Sequence, residues 1–387
     1  MNNMRKKIAY IRIFDTTPIG HSVEQMLRDS FPEYDVQTIV LTRLLKRNPH
    51  IIFLNLMHTL VLYISQLLRG KRRLWSVFLA TPYLFEKVKA LVNKHLAADK
   101  ENYVFSFQLQ SLFDTSTGFM PHFVYTDHTH LNNLTYPDFD REKLNAEKWI
   151  SLEKSIYEQA SIVFTRSTNI SQSLIEQYGI AEDKIRCIYV GINSNGTSKH
   201  RSKDDYRAEN ILFVGIDWER KGGPILLEAF QSVLTSHPDA HLTIIGASPE
   251  IENPNCHAVG LVSVDNVDQY YRDASVFCLP TLREPFGVVF VEAMTYELPI
   301  VATNIGAIPD FVVDNYNGYL VEPRDVNALT NALLNLLDDS EKRFTFGQRS
   351  CQIAREKYNW QQVGAAARQV ILTVISQPPH NSNTSAI

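Results

Sequence analysis

The chain has 387 residues, of which 44% are hydrophobic and 21% charged, with a formal net charge of −4. That length suits two domains of ordinary size with full cores, and the slight acidity excludes a surface coated in basic groups for nucleic acid. Four scattered cysteines without a CxxC pair read as buried thiols in a reducing compartment, not as disulfides or a metal site. The opening residues, MNNMRKKIAYIRIF, hold too short an apolar run for a signal peptide, so a cytoplasmic protein is expected.

From the N-terminus, six short runs rich in β-branched and aromatic residues alternate with helix-length amphipathic stretches: KIAYIRIF, YDVQTIVL, NYVFSFQ, HFVYTDH, SIVFTRS and IRCIYVG. After the polar, aperiodic NSNGTSKHRSKDDYRAE, six more follow: NILFVGI, HLTIIGA, CHAVGLV, SVFCLP, PIVATN and GYLVEP. Continuous apolar strands alternating with helices predict parallel sheets covered on both faces. The expected fold is α/β, with two doubly wound, Rossmann-like domains over residues 1–195 and 210–355, joined by a linker over 196–209. An amphipathic helix over 356–376 and a disordered tail over 377–387 complete the chain. Open parallel sheets bind ligands beyond the carboxyl ends of their strands, so the strand-to-helix loops are where function is expected.

In the first half, residues 41–75 hold seven basic residues (Arg43, Lys46, Arg47, Arg69, Lys71, Arg72, Arg73) and no acidic one. Between the basic clusters run eighteen uncharged residues, IIFLNLMHTLVLYISQLL, with Asn55, His58, Thr59, Ser65 and Gln66 on one face of a helical wheel. A membrane span needs no such stripe, whereas an in-plane helix with basic flanks on anionic lipid does. A core helix with solvated ends is the alternative. Further on, the D-x-D at Asp138 to Asp140 precedes a helical pattern and reads as an N-terminal cap, not a metal site.

In the second half, three loops follow strands and lead into helices. The loop after NILFVGI ends in Arg220-Lys221-Gly222-Gly223, where a lysine can neutralise a diphosphate as a point charge. The loop after SVFCLP carries Glu284 and Gly287 ahead of a helix holding Glu292. A helix start offers free N–H groups and a positive dipole end to phosphate, and two flanking carboxylates suit the hydroxyls on either side of a nucleotide sugar's diphosphate. Glu284 as a helix cap and Glu292 as a solvated helix residue are the competing uses. The third loop, VATNIGAIPDFV, places Gly306 before a helix.

Taken together, EPFGVVFVEA, FVGIDWERKGG and VATNIGAIPDFVVDNYNGYLVEP resemble the nucleotide-binding half of family 4 glycosyltransferases, retaining enzymes of the GT-B fold. The resemblance implies Lys221 on the donor diphosphate, Glu284 on sugar hydroxyls near the reacting centre and Glu292 on the ribose. Around them it implies donor contacts from Gly20, Arg220, Thr281, Phe286, Gly287 and Val288. FVYTDHTHL is similar to the family's strand ending in T-x-H, which makes His128 the residue that bonds the donor sugar or its phosphate, with His130 its neighbour. FDTTPIGHS stands where the family often has paired glycines, and YNWQQV resembles the tryptophan before a final helix that crosses back onto the first domain. Three positions depart from the family: Ile216 in place of an arginine, Ala307 and Glu297 each in place of a glycine.

The resemblance therefore implies a hexosyltransferase moving a sugar from a nucleotide-diphosphate donor to a glycan, lipid-linked or small-molecule acceptor, with no metal or other cofactor. A non-catalytic nucleotide-sugar-binding subunit and a nucleotide-sugar epimerase of the same fold are the alternatives. Product formed without acceptor separates the epimerase, and retained Glu284 and Lys221 speak against the subunit.

Overall fold

A computed structural model of the chain describes residues 5–192 and 201–377. It contains two six-stranded, wholly parallel sheets. The first joins β1 (Lys7–Arg12), β2 (Asp35–Val40), β3 (Tyr103–Leu109), β4 (His122–Thr126), β5 (Ile162–Thr165) and β6 (Ile185–Cys187) in the order β2-β1-β3-β4-β5-β6. The second joins β7 (Asn210–Val214), β8 (His241–Ile245), β9 (Cys256–Gly260), β10 (Val276–Leu279), β11 (Ile300–Thr303) and β12 (Gly318–Val321) in the order β12-β11-β10-β7-β8-β9. All twelve strands fall on the runs read from the sequence. Central strands such as β4, β5, β10 and β11 are buried along their whole length, which is why they read as continuous rather than alternating apolar runs. The edge strand β9 exposes His257, Ala258 and Val259.

Strand order reverses between β1 and β3 in the first sheet and between β7 and β10 in the second. At such a switch point the loops leave in opposite directions and open a crevice at the carboxyl ends. β7 feeds the Lys221 loop and β10 the Glu284 loop, so the two face each other across the second crevice.

The crossover helix begins at Trp360, later than the expected residue 356, because a separate helix, Ser340–Lys357, precedes it. Asn359 caps it by accepting from Gln362 N at 2.8 Å. Its Arg368 donates to Ser30 O at 2.7 Å and pairs with Glu33 at 2.7 Å, tying the chain's end to the first domain. Of the expected linker, residues 196–200 lie outside the described residues, as does the expected tail beyond Gln377. Residues 201–209 are docked: Tyr206 is fully buried, and Arg201 N donates to Glu297 Oε2 at 3.1 Å. That contact accounts for one departure from the family pattern. Glu297 adopts φ 57°, a left-handed conformation that favours glycine, and its carboxylate holds Arg201 and Gln348. Ala307, with φ −82°, occupies a position that needs no glycine.

The helix Pro49–Leu68 is turned the opposite way from a core helix. Asn55 and Thr59 are fully buried, and the Asn55 amide donates to Phe78 O at 2.7 Å. Phe53, Met57, Val61, Ile64 and Leu68 face outward, Val61 at 77% and Leu68 at 81% exposed. Of the polar stripe, Asn55 and Thr59 are docked together with Ile51 and Tyr63, while His58 and Ser65 are exposed; with so little of the helix buried, the core-helix alternative does not hold.

Candidate active site

The Lys221 loop is built on glycine. Gly222 has φ 76° and caps the helix Gly223–Val233, and a Cβ there would overlap the carbonyl of Pro280. Only glycine lets the loops after β7 and β10 touch. Across that contact Lys221 Nζ donates to Glu284 Oε2, with the two side chains 12% and 7% exposed. Arg220 is committed elsewhere: its guanidinium bonds Asp217 at 3.0 Å and the carbonyl of Arg283 at 2.9 Å. Thr281 is fully buried, its hydroxyl 3.2 Å from Arg220 O and 3.1 Å from Arg283 O. Both residues therefore brace the two loops against each other.

Gly287, φ 90°, precedes the helix Val288–Thr295, which has no side-chain cap. Gly287 lies against the Glu284 side chain, Phe290 N donates to Gly287 O at 3.0 Å, and Val288 stands half exposed. The Phe286 ring turns inward onto Phe311 at 5.2 Å, so only its backbone is left for a ligand. One turn into the helix, Glu292 accepts from Tyr271 Oη at 2.9 Å, and burial raises its pKa. Neither carboxylate is the solvated or capping group of the competing use. Gly306, φ 56°, lies so close to the Glu284 carbonyl that a Cβ would overlap it, so all three loops converge on Glu284.

From the first domain, His128 follows β4. Burial lowers its pKa, which keeps the imidazole neutral. Asn133 fixes its tautomer. The Asn133 Oδ1 accepts from Arg283 Nη2 at 2.9 Å, so its amide nitrogen must face His128 Nε2, 3.1 Å away. Nε2 is then the acceptor and Nδ1 carries the proton. Nδ1 is buried and has no hydrogen-bond partner among the described residues, so its N–H is left unsatisfied. Arg283 and Asn133 were missed by sequence reasoning; the only local signal is that Arg283 directly precedes Glu284.

His130 joins this network through its carbonyl, which accepts from the Asn133 amide at 2.8 Å, while its ring points elsewhere, accepting Asn145 N at 2.8 Å with its pKa lowered to about 4, chiefly by burial. Gly20 lies buried in the first turn of the helix Pro18–Ser30, its carbonyl bonded by Tyr10 Oη at 2.9 Å, and a Cβ would approach Arg12 Nη1 to 2.7 Å. His21 is exposed. Asp140 accepts Glu142 N at 2.9 Å as a cap, and Asp138 pairs with Arg324, so the D-x-D is used structurally. Beside His128 a cavity of about 700 Å³ extends into the first domain.

Two doubly wound domains, with the site at their strand ends and a last helix returning to the first domain, define the GT-B architecture. The family model described as "Glycosyl transferases group 1" matches residues 208–339, on the donor side. An uncharacterised glycosyltransferase of Methanocaldococcus jannaschii is 31% identical over 46% of this chain and 51% of its own. A phosphatidyl-myo-inositol mannosyltransferase of Mycobacterium leprae is 33% identical over 43% of this chain and 47% of its own. The chain thus spans about half the length of these curated relatives. Among solved structures, an Anabaena protein (HepE) in complex with UDP has a TM-score of 0.63 at 14% identity, covering 95% of this chain and 100% of that one.

Proposed function

We propose that the protein is a retaining glycosyltransferase that moves a sugar from a nucleotide-diphosphate donor to an acceptor hydroxyl. The observation that carries this reading is the Lys221–Glu284 pair beside an uncapped helix start, at the switch point of a parallel sheet. The diphosphate takes the helix N–H groups and the Lys221 ammonium, which leaves Glu284 to accept sugar hydroxyls. Glu292, deeper along the helix, accepts from the ribose. His128, neutral and offering Nδ1–H, donates to the sugar or its phosphate and is no base. Reaction then proceeds on one face of the sugar, the departing phosphate taking the acceptor's proton while the protein positions both substrates and stabilises the leaving charge. The likeness to the UDP-bound Anabaena structure supports a nucleotide diphosphate in the donor.

The acceptor side of the reading is a lipid-linked or cell-surface glycan precursor at the inner face of the cell membrane. It is supported by the outward apolar face of the helix Pro49–Leu68 and by the basic residues that flank it.

A panel of uridine, guanosine and adenosine diphosphate sugars, screened for slow release of nucleotide diphosphate, tests the reading. One donor should be hydrolysed, with NMR showing the freed sugar first in the donor's own anomeric configuration. An inverted first product overturns retention. An isomerised donor formed without acceptor overturns transfer in favour of epimerisation.

A further inference from the structure

The cavity beside His128 has a lining that selects among acceptors. One wall is the segment joining the helix Pro49–Leu68 to the short helix Leu74–Phe78, and it brings Lys71, Arg72, Arg73 and Trp75 to the cavity. Lys143 enters from the facing side, where Arg72 Nη2 donates to its carbonyl and holds the two segments together. The cavity's two carboxylates add no free negative charge. Asp127 pairs at 3.1 Å with Arg166, itself 5% exposed, and Glu153 lies buried under the hydroxyls of Tyr157 and Tyr178.

The cations divide into two groups. Lys71 is paired with Glu142, Arg72 is held by Asn145 Oδ1 at 2.8 Å, and Arg283 is bound to Asn133. The side chains of Arg73 and Lys143 have neither a hydrogen bond nor an ion pair with any of the described residues. Two uncommitted cations on one cavity rim favour an anion. The same cavity is lined by exposed apolar side chains: Phe14 is 45% and Trp75 79% exposed, and the helix Leu74–Phe78 that carries Trp75 packs against the helix Pro49–Leu68. A soluble sugar phosphate would leave that apolar wall in water, and a neutral lipid would leave the cations without a partner.

We infer that the acceptor is a phosphate-bearing lipid, its phosphate held by Arg73 and Lys143 and its hydrocarbon chain running over Trp75 towards the helix Pro49–Leu68. This rests on the glycosyltransferase reading above and names its acceptor class. The headgroup then lies in the cavity with a hydroxyl directed at His128, while the chain remains continuous with the bilayer.

Dihexanoylphosphatidic acid, kept below its micelle concentration so that no membrane surface forms, is the probe. Its binding is read from the emission of Trp75 and Trp149, both in the cavity wall. It should bind about tenfold or more tightly than dihexanoylglycerol or glycerol 3-phosphate, and Arg73→Gln with Lys143→Gln should remove about that factor. The double variant should keep its melting temperature and its affinity for UDP. Equal binding of dihexanoylglycerol, or a double variant that binds the phosphatidic acid normally, overturns the phosphate assignment. Glycerol 3-phosphate binding as tightly as the lipid overturns the lipid and leaves a soluble phosphorylated acceptor. These titrations contain no nucleotide, so a wild-type protein that binds the lipid but no nucleotide diphosphate would fail the glycosyltransferase reading separately.

Discussion

Replacing Lys221 by methionine acts in two ways at once. Its ammonium is the counter-charge of Glu284, in a pair whose side chains are 12% and 7% exposed. Removing one member of so buried a pair leaves an uncompensated carboxylate, at a cost of about 3–5 kcal/mol of folding stability. The same ammonium is assigned to the donor diphosphate, a contact whose loss in a closed cleft costs roughly 2–5 kcal/mol, or about thirty-fold to several-thousand-fold in kcat/KM. Adding Glu284→Gln separates the two effects. With both charges gone, urea denaturation should return the midpoint to near the wild-type value, because the stranded carboxylate no longer exists. Calorimetric titration with UDP should still show the loss in affinity. A double variant that binds UDP like the wild type would refute the diphosphate assignment. A single variant as stable as the wild type would refute the ion pair's energetic role.

The two carboxylates should fail differently: Glu284→Gln mainly lowers turnover and Glu292→Gln mainly weakens UDP binding, and equal weakening of UDP by both would count against their roles. Burial raises the pKa of Glu153 from 4.5 to about 7, so the folded state keeps a proton that the unfolded chain releases. Its contribution to stability is full below about pH 4.5 and lost as pH rises to about 7, roughly 3 kcal/mol in all. Glu153→Gln should therefore gain on the wild type between about pH 5 and about pH 7.5 in thermal melts, and a constant difference would disprove the shift. Activity should persist in EDTA, since the helix start and Lys221 supply the charge a divalent ion would otherwise bring; complete loss restored by manganese would reopen the metal question. The protein should sediment with anionic vesicles and hardly with neutral ones. Each basic residue near the surface contributes roughly 1 kcal/mol, screened over about 8 Å at physiological salt, and failure to bind at low salt would end the membrane reading.

The strands were legible because burial on both faces writes them as unbroken apolar runs, and the places of Lys221 and Glu284 at strand ends because their loops follow such runs directly. Partnerships across the cleft were not legible. Arg283 and Asn133 are 150 positions apart, and beyond the adjacency of Arg283 to Glu284 no local pattern marks either. The wheel of the helix Pro49–Leu68 showed a polar stripe but could not show which face docks; Asn55 faces inward because it bonds the carbonyl of Phe78, which comes from another helix. Phe286 shows the converse. Its place in EPFG marks the loop, while its ring is spent on the Phe311 cluster.

The link from Arg283 through Asn133 to His128 makes one imidazole a reporter on the distance between domains. Arg283 belongs to the donor-side loop and the other two residues to the first domain. Parting the domains breaks only the bond to Asn133 Oδ1, since the amide nitrogen stays anchored on the carbonyl of His130 at 2.8 Å and the tautomer is kept. What His128 loses is the nearby guanidinium, whose charge helps to hold its pKa down. Nitrogen chemical shifts of a labelled His128, followed against pH, would therefore read whether the two halves are engaged without any substrate.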